Sequence, residues 1–262
     1  MEKQATFRLW RGDANGGAFQ DYTVDVDEGM VVLDAVHRIQ GTKAHDLAVR
    51  WNCKAGKCGS CSAEINGMPM LMCMTRLIDL PLDRPVVVRP LQTFPIIKDL
   101  ATDVSWNYEV KKQIHPFTPT TAQGAGKTWK AMQSDADRVQ EFRKCIECFC
   151  CQDVCHVLRQ HHLFESFIGP RFLLYSAALE MHPFDAGGRL DDLKNDQGIG
   201  LCNIGKCCTK VCPEEIKITD NAIIPLKERI ADEFYDPFQW VFRFVKRLFS
   251  RTGPVQEGPA AQ

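Results

Sequence analysis

Cysteine is the residue type that most constrains what this chain can fold into. The sequence of 262 residues contains 13 cysteines, and all of them fall into three short groups. The groups are Cys53, Cys58, Cys61 and Cys73; then Cys145, Cys148, Cys150, Cys151 and Cys155; and then Cys202, Cys207, Cys208 and Cys212. Thiolates at such spacings are typical ligand sets of iron–sulfur clusters. The pattern therefore predicts a protein that carries electrons.

The remaining composition is that of a globular protein and excludes several functions. Apolar residues make up 45% of the chain and charged residues 25%, and the length allows two domains with separate cores. A net charge of −1 argues against a nucleic-acid partner. No stretch approaches the roughly 20 apolar residues of a membrane span, and residues 1–6 lack the features of an export signal. We therefore expect a reducing compartment, where an odd number of clustered cysteines favours metal ligation over disulfides.

Periodicity predicts a small sheet in the first hundred residues. Residues 6–11 and 22–26 alternate apolar and polar side chains, and the glycine-rich run 12–17 between them predicts a hairpin with a long loop. A helix is predicted over 30–40, ended by Gly41. A second hairpin is predicted around Asn66-Gly67, and residues 86–89 form a last strand bounded by prolines.

Helix-forming residues dominate from position 136 onward, and the second and third cysteine groups lie between helical segments. Helices are predicted over 171–181 and 219–233, with Thr219 or Asp220 as N-cap of the latter and Pro225 bending or restarting it. This change in residue pattern predicts three parts of the chain: 1–102 for the cluster domain with the sheet, 103–236 for the helical domain, and 237–262 for a C-terminal segment.

The first cysteine group has the plant-type [2Fe–2S] pattern. Its spacing is C-x4-C-x2-C over Cys53, Cys58 and Cys61, and eleven residues separate Cys61 from Cys73. Gly56 and Gly59 tolerate the positive φ angles that let thiolates converge from one loop. The alternative is a zinc site that uses the C-x2-C pair Cys58 and Cys61. The x4 spacing and the glycine-rich loop favour the iron cluster.

The second group has the bacterial ferredoxin pattern, C-x2-C-x2-C-x3-C, over Cys145, Cys148, Cys151 and Cys155. In that pattern the fourth cysteine ligates the other cluster of a pair. The third group supplies the partner set. By this crossing rule Cys212 completes a [4Fe–4S] cluster with the first three cysteines, and Cys155 joins Cys202 and Cys208 at a second cluster.

The second cluster of this pair has one ligand fewer. Gly205 stands where Cys148 stands in its own repeat, and three thiolates fit a [3Fe–4S] centre. Cys207 is a possible fourth ligand. However, Cys150 occupies the equivalent position in the other repeat, which favours the interpretation that both are packed cysteines.

Three stretches of sequence together resemble a known family. They are the run W-N-C-K-A-G-K-C-G-S-C over residues 51–61, the hairpin that leads to Cys73, and I-G-P-R over 168–171. With the cluster layout, they resemble the iron–sulfur subunit of succinate dehydrogenase or fumarate reductase, the actinobacterial type in particular, over about residues 5–236. The resemblance implies an α+β fold: an N-terminal β-grasp plant-type ferredoxin domain followed by an all-α ferredoxin-like, two-cluster domain.

The resemblance also implies a mechanism and partners. A flavoprotein subunit oxidises succinate to fumarate at FAD, and electrons pass singly through the [2Fe–2S], [4Fe–4S] and [3Fe–4S] clusters to a membrane quinone. Fumarate reduction runs in the opposite direction. This subunit holds the clusters and performs no bond-making chemistry. It is expected to be peripheral, at the cytoplasmic face of the bacterial cell membrane, bound to anchor subunits that would carry any haem.

The quinone side departs from the family. Relatives that bind ubiquinone usually carry Pro and a Trp pair after the ligand equivalent to Cys155, whereas this chain has H-V-L-R-Q over 156–160. His156, Arg159 and Lys227 are the candidate quinone-side residues, with a plain surface position the stronger interpretation for His156.

The C-terminal segment carries a basic amphipathic pattern over residues 238–251, which favours docking at a membrane surface or an anchor subunit over an ordinary surface helix. Two other functions remain open from sequence. One is an iron–sulfur subunit that serves a different flavoprotein dehydrogenase, and the other is a soluble ferredoxin-type carrier or redox sensor.

Overall fold

A computed structural model describes residues 3–120 and 130–237 of the chain. The first part contains one sheet, in the order β4-β3-β5-β1-β6-β7, with β2 paired to β1. Its strands are β1 (Lys3–Asp13), β2 (Gly16–Val26), β3 (Ser62–Ile65), β4 (Met68–Leu71), β5 (Val86–Arg89), β6 (Ile96–Lys98) and β7 (Ala101–Thr102). Strands β1 and β5 are parallel, and the other pairs are antiparallel.

The first hairpin forms as predicted, but its predicted long loop is wrong. Strand β1 runs to Asp13 and β2 starts at Gly16, so that only two residues connect them. The glycines stay in the ladder because the ring of Trp10 lies over them. A Cβ on Gly17 would come within 2.6 Å of that ring, and a Cβ on Gly12 within 2.9 Å. Glycines that indicate a loop in sequence are here strand residues under an aromatic side chain.

Helix α1 (Val32–Thr42) packs on the inner face of the sheet. It ends one residue beyond the predicted stop at Gly41. Its buried side chains recur at helical spacing and meet the alternating inward residues of β1, namely Ala5, Phe7 and Leu9. The predicted Asn66-Gly67 hairpin is confirmed between β3 and β4, and both turn residues have positive φ angles. The long loop between α1 and β3 carries the first cysteine group.

The second part of the chain is helical. Its α-helices are α2 (Ser105–Gln113), α3 (Gln133–Gln140), α4 (Cys150–Asp153), α5 (His156–Arg159), α6 (Gly169–Glu180), α7 (Leu190–Asn195), α8 (Cys207–Lys210) and α9 (Ile224–Tyr235). The predicted helix over 171–181 corresponds to α6. The short helices α4, α5 and α8 each begin at or directly after a cysteine, so that the second and third cysteine groups sit at helix starts.

The predicted N-cap of the last helix is wrong. The segment Ile218–Ile223 forms a π-helical turn, and α9 starts only at Ile224, with Pro225 in its first turn. Thr219 is buried and does not cap a helix; its backbone N–H and its hydroxyl both bond Thr209 Oγ1, at 3.0 and 3.1 Å. The prediction that Pro225 restarts the helix is confirmed, because proline is tolerated in the first turn.

The two parts of the chain share an interlocked junction. Leu91 and Phe94 follow β5 but pack into the helical core, whereas Cys148 and Cys150 belong to the core of the sheet. The fully buried carboxylate of Glu64 on β3 pairs with Arg159 of α5 and with Arg89 of β5, both at 2.6 Å. The sheet and the helices are therefore held by apolar packing and by ion pairs across the same surface.

None of the helices in the described ranges has the length and apolarity of a membrane span. The predicted basic segment over 238–251 lies outside the described residues.

Candidate iron–sulfur sites

The first cysteine group lies on a tightly folded loop. Lys54, Gly56 and Gly59 all have positive φ angles, which turn the loop back on itself. Hydrogen bonds link Cys53 with Cys58 and Cys61 with Cys73, and Cys61 also interacts electrostatically with Cys58. Cys53 is exposed, whereas Cys61 and Cys73 are buried. The four predicted [2Fe–2S] ligands therefore form one group with a solvent-exposed side and a buried side.

The second group forms around a single cavity. Four thiols line it: Cys145, Cys148, Cys151 and Cys212. They come from the turn before α4, from α4 itself and from the end of α8, so Cys212 arrives from more than 60 residues away along the chain. Cys212 and Cys151 each interact electrostatically with both Cys145 and Cys148. This is the set that the crossing rule predicts for [4Fe–4S].

The third group brings the other predicted set together. Cys155, at the start of α5, interacts with Cys202, and Cys208 also interacts with Cys202. Backbone N–H groups of Val157 and Leu158 at the start of α5 donate to the Cys155 sulfur. The Thr219 hydroxyl lies 3.4 Å from Cys208 Sγ. Donors of this kind stabilise thiolates and tune the clusters they hold.

Cys150 and Cys207 differ in their surroundings, although the sequence treats them as equivalent. Cys150 is fully buried in the sheet core, where its thiol donates to Ser62 Oγ at 3.6 Å. Cys207 is only partly buried, and it interacts electrostatically with Cys202. Its sulfur also accepts a hydrogen bond from the backbone N–H of His156. Cys150 is thus a packed cysteine, as predicted, whereas Cys207 interacts with the thiols of the third group.

Five of the predicted ligand thiols in the second and third groups need a positive partner. Burial raises the pKa of the thiols of Cys145, Cys151, Cys208 and Cys212, and it raises that of Cys155 to about 11. Without a cation these groups would stay protonated at neutral pH, whereas a metal ion deprotonates the thiols that coordinate it. In contrast, N–H donors from Ala55 and Lys57 lower the pKa of the exposed Cys53 thiol to about 6. The donor sets fit iron clusters at all three groups.

Within residues 3–120 and 130–237, no three side chains of His, Cys, Asp or Glu converge to hold a single metal ion. Clusters distribute their thiolates over several irons, so this finding leaves the three thiol groups as candidate cluster sites.

The first and second groups touch through a glycine. A Cβ on Gly59 would lie 2.7 Å from Cys148 Cα and 2.8 Å from the Ile146 carbonyl oxygen, so only glycine permits this approach. The Ser62 hydroxyl donates to the carbonyl oxygens of Gly59 and Cys148, at 2.9 and 2.8 Å. The loop of the first group is therefore in direct contact with a ligand of the second.

The three candidate quinone-side residues lie in different surroundings. His156 is half-buried at the start of α5, next to Cys207, and its ring lies 6.3 Å from that of His161. Lys227 Nζ donates to the Cys202 carbonyl oxygen at 2.6 Å. The Arg159 guanidinium is held at the junction by Glu64. Lys227 and His156 border the third group, whereas Arg159 has a structural partner.

Sequence reasoning missed several contacts around the sites. Ser62, Gly59 and Thr219 contact ligands only because the chain folds back over long separations, and no local pattern indicates this. Arg171 belongs to the I-G-P-R run, which by itself indicates no function for it, yet it lines the cavity of the second group. The signal available in the sequence was the Gly-Pro pair directly before it, which is typical of the start of a helix.

Comparison with known proteins agrees with this arrangement. Residues 6–109 match the family described as a 2Fe-2S iron-sulfur cluster binding domain, and residues 141–216 match a 4Fe-4S dicluster domain. The chain is 33% identical over 201 residues to a succinate dehydrogenase iron-sulfur subunit of Coxiella burnetii, which covers 75% of this chain and 83% of the relative. It is 30% identical over 205 residues to a fumarate reductase iron-sulfur subunit of Mycobacterium tuberculosis, covering 76% and 80%.

A longer relative and a solved structure complete the comparison. One of the subunits of the fumarate reductase (CoM/CoB) of Methanothermobacter marburgensis is 29% identical over 234 residues, and the chain spans 45% of its length. A chain of the Mycobacterium smegmatis Sdh1 complex in the apo form is 57% identical, with a TM-score of 0.87 over 90% of this chain and 99% of that one. The resemblance predicted from sequence is confirmed: the chain belongs to the family of succinate dehydrogenase and fumarate reductase iron–sulfur subunits, whose function in these oxidoreductases is electron transfer.

Proposed function

We propose that this chain connects a flavoprotein subunit, which oxidises succinate to fumarate at FAD, to a membrane quinone. The ligands would be Cys53, Cys58, Cys61 and Cys73 for [2Fe–2S]; Cys145, Cys148, Cys151 and Cys212 for [4Fe–4S]; and Cys155, Cys202 and Cys208 for [3Fe–4S]. The clusters supply one-electron redox chemistry, and the protein holds them in a fixed order.

The observation that carries this proposal is the packing that links the elements carrying the three thiol groups. Gly59 of the first loop lies against Cys148 of the second group. Helix α4, which carries Cys151, packs against α8, which carries Cys208, and both cysteines lie in the same core. The elements that carry the three groups are therefore in direct succession, as an electron relay requires.

The two ends of the route differ in a way that supports its direction. The first group has the exposed Cys53 at its edge, and the exposed Trp51 and Met74 lie nearby along the chain. We assign this end to the flavoprotein. His156 and Lys227 border the third group at the other end, and we keep them, with Arg159 at the junction, as quinone-side candidates.

The finer features of the complex are part of the same proposal. They are a β-grasp fold for residues 1–102, a two-cluster helical domain over 103–236, membrane anchor subunits with any haem, and a peripheral position at the cytoplasmic face. The parallel pairing of β1 with β5 under helix α1 supports the β-grasp assignment.

Low-temperature EPR of the purified complex, as isolated and after addition of succinate, tests this function. We expect a near-isotropic [3Fe–4S] signal in the oxidised complex and a [2Fe–2S] signal that appears on reduction with succinate. Clusters that are present but do not respond to succinate would refute the proposed donor and favour another flavoprotein. A chain that purifies alone with its clusters would favour a soluble carrier.

Cys207 provides a sharper test of the third centre. With three ligands, Cys207→Ser leaves the [3Fe–4S] signal in place, and so does the matched control Cys150→Ser. If Cys207 instead completes a second cubane, the wild-type complex lacks the three-iron signal and Cys207→Ser creates it. Iron content and EPR of the three proteins separate these outcomes.

A further inference from the structure

The cavity of the second cysteine group contains a buried basic residue that the proposed ligand set does not use. Apart from the four thiols, its lining is mostly apolar, and among the described residues it includes two charged side chains, Arg171 and Glu214. Glu214 pairs with Lys57 Nζ at 3.3 Å, toward the first loop. Arg171 is therefore the basic group that faces the predicted [4Fe–4S] site.

Helix α6 holds Arg171 in place from its first turn. The φ angle of Gly169 is +79°, and a Cβ there would overlap the side chain of Gln152, so only glycine allows this start. The buried Gln152 Oε1 accepts the backbone N–H of Arg171 at 3.3 Å, and its Nε2 donates to the Ile168 carbonyl oxygen at 3.1 Å. The backbone of Arg171 is thereby fixed against α4, which carries Cys151.

The guanidinium has one partner and one unsatisfied donor. Its Nη2 donates to Glu147 Oε1 at 2.7 Å, and its plane lies near the ring of Tyr175. The side chain is only 7% exposed, and its Nε is buried without a hydrogen-bond partner. A buried N–H without an acceptor costs about 1–3 kcal/mol, so such a group in a cluster cavity indicates an acceptor there. Sulfur atoms of an iron–sulfur cluster accept hydrogen bonds of this kind.

The positive charge at this position is not neutralised. The single carboxylate of Glu147 also binds Lys111 Nζ at 2.6 Å, so two cations share one anion. The charge of Arg171 acts on both Cys145 and Cys148 and favours their thiolate forms. In a buried environment such a field is weakly screened.

From this geometry we propose that Arg171 sets the reduction potential of the [4Fe–4S] centre, by placing an uncompensated positive charge and a free Nε–H beside the cluster. The inference rests on the ligand set proposed above. Reduction adds one negative charge to the cluster, and a nearby cation stabilises the reduced form more than the oxidised form. The residue therefore raises the potential, whereas Glu147 lowers it and is offset by Lys111.

The test is an EPR-monitored redox titration of the [4Fe–4S] centre in the purified complex. Arg171→Met removes the charge and the N–H while keeping much of the side-chain length. We expect the reduction equilibrium constant to fall about tenfold or more, which corresponds to a midpoint about 59 mV lower for one electron. Arg171→Lys keeps the charge, so its midpoint should be lowered less. The midpoints of the other two centres in the same samples should move less than that of the [4Fe–4S] centre.

A second variant, expected to shift the midpoint in the opposite direction, distinguishes an electrostatic effect from misfolding. Glu147→Gln leaves both cations in place, and we expect it to raise the same midpoint. The exposed Arg8→Met is the control for loss of an arginine elsewhere and should change no midpoint. A normal wild-type [4Fe–4S] signal whose midpoint is unmoved by both Arg171→Met and Glu147→Gln would overturn this proposal alone. A wild-type complex without a [4Fe–4S] signal would overturn the ligand set, and this proposal with it.

Discussion

The ion pair between Glu64 and Arg159 offers a quantitative test of how the sheet and the helices are joined. Glu64 is fully buried, and Arg159 Nη1 lies 2.6 Å from its Oε1; Arg89 Nε holds the other oxygen, also at 2.6 Å. Asp153 lies 3.9 Å from the same arginine, and burial raises the pKa of its carboxyl to about 7. Arg159→Met would therefore leave two buried acidic groups without their shared cation.

The expected loss follows from burial. Removing one partner of a buried pair costs about 3–5 kcal/mol. Here Arg159 is 27% exposed, so solvent screens the pair, and Glu64 keeps Arg89 as a partner. We therefore expect the free energy of local unfolding at the junction to fall by about 2–3 kcal/mol, which is less than the full value. That loss corresponds to local opening that is roughly 30- to 150-fold more frequent.

Native-state hydrogen exchange of the purified complex measures this opening directly. Amides of β3 and α5 should exchange faster in Arg159→Met by that factor. The control is Arg8→Met, because Arg8 and Asp21 form a bidentate pair at 2.8 Å with both side chains nearly half exposed. Solvent screens such an exposed pair, so its loss should change the exchange rates little. Equal effects of the two variants at their own sites would refute the reasoning, because burial would then have no influence on the value of the pair.

The remaining predictions concern backbone contact and a second buried cation. Gly59→Ala should separate the first two thiol groups and lower the [2Fe–2S] content of the purified complex, because its Cβ would overlap Cys148. The control is Gly67→Ala, which is also at positive φ but has open space around it and should cost only backbone strain of about 1 kcal/mol. Equal cluster content in both variants would contradict this prediction. Arg189 is fully buried, lies 3.0 Å from Asp185 Oδ2 and donates to the carbonyl oxygens of His115 and Pro116, at 2.8 and 2.7 Å. Arg189→Met should therefore destabilise this region by about 3–5 kcal/mol, seen as faster exchange of the amides of α7; unchanged exchange would count against it.

Local patterns in the sequence were sufficient for much of the fold. Alternation of apolar side chains predicted β1 and β2, and a valine run bounded by prolines predicted β5. Asn66-Gly67 predicted the turn between β3 and β4, because strand periodicity and turn conformation depend on adjacent residues. The three cysteine groups were evident for the same reason, since ligand spacing is a local property. Where a local pattern failed, a side-chain contact that the pattern does not show was involved. The ring of Trp10 lies over Gly12 and Gly17 of the first hairpin, and Thr219 is hydrogen-bonded to Thr209 and does not cap a helix.

The sequence by itself therefore determined the strands β1 to β5 and the helices α1 and α6, and through ligand spacing and resemblance it predicted which cysteines serve each cluster. Only the tertiary structure decided the surroundings of those cysteines. Cys150 and Cys207 have equivalent positions in their repeats, yet one is packed in the sheet core and the other interacts with the thiols of the third group. Arg159, a quinone-side candidate from sequence, is paired with Glu64, and Arg171 lines the cavity of the second cysteine group. Burial and charge partners depend on residues that are far apart along the chain, so they become defined only when the sheet and the helices pack together.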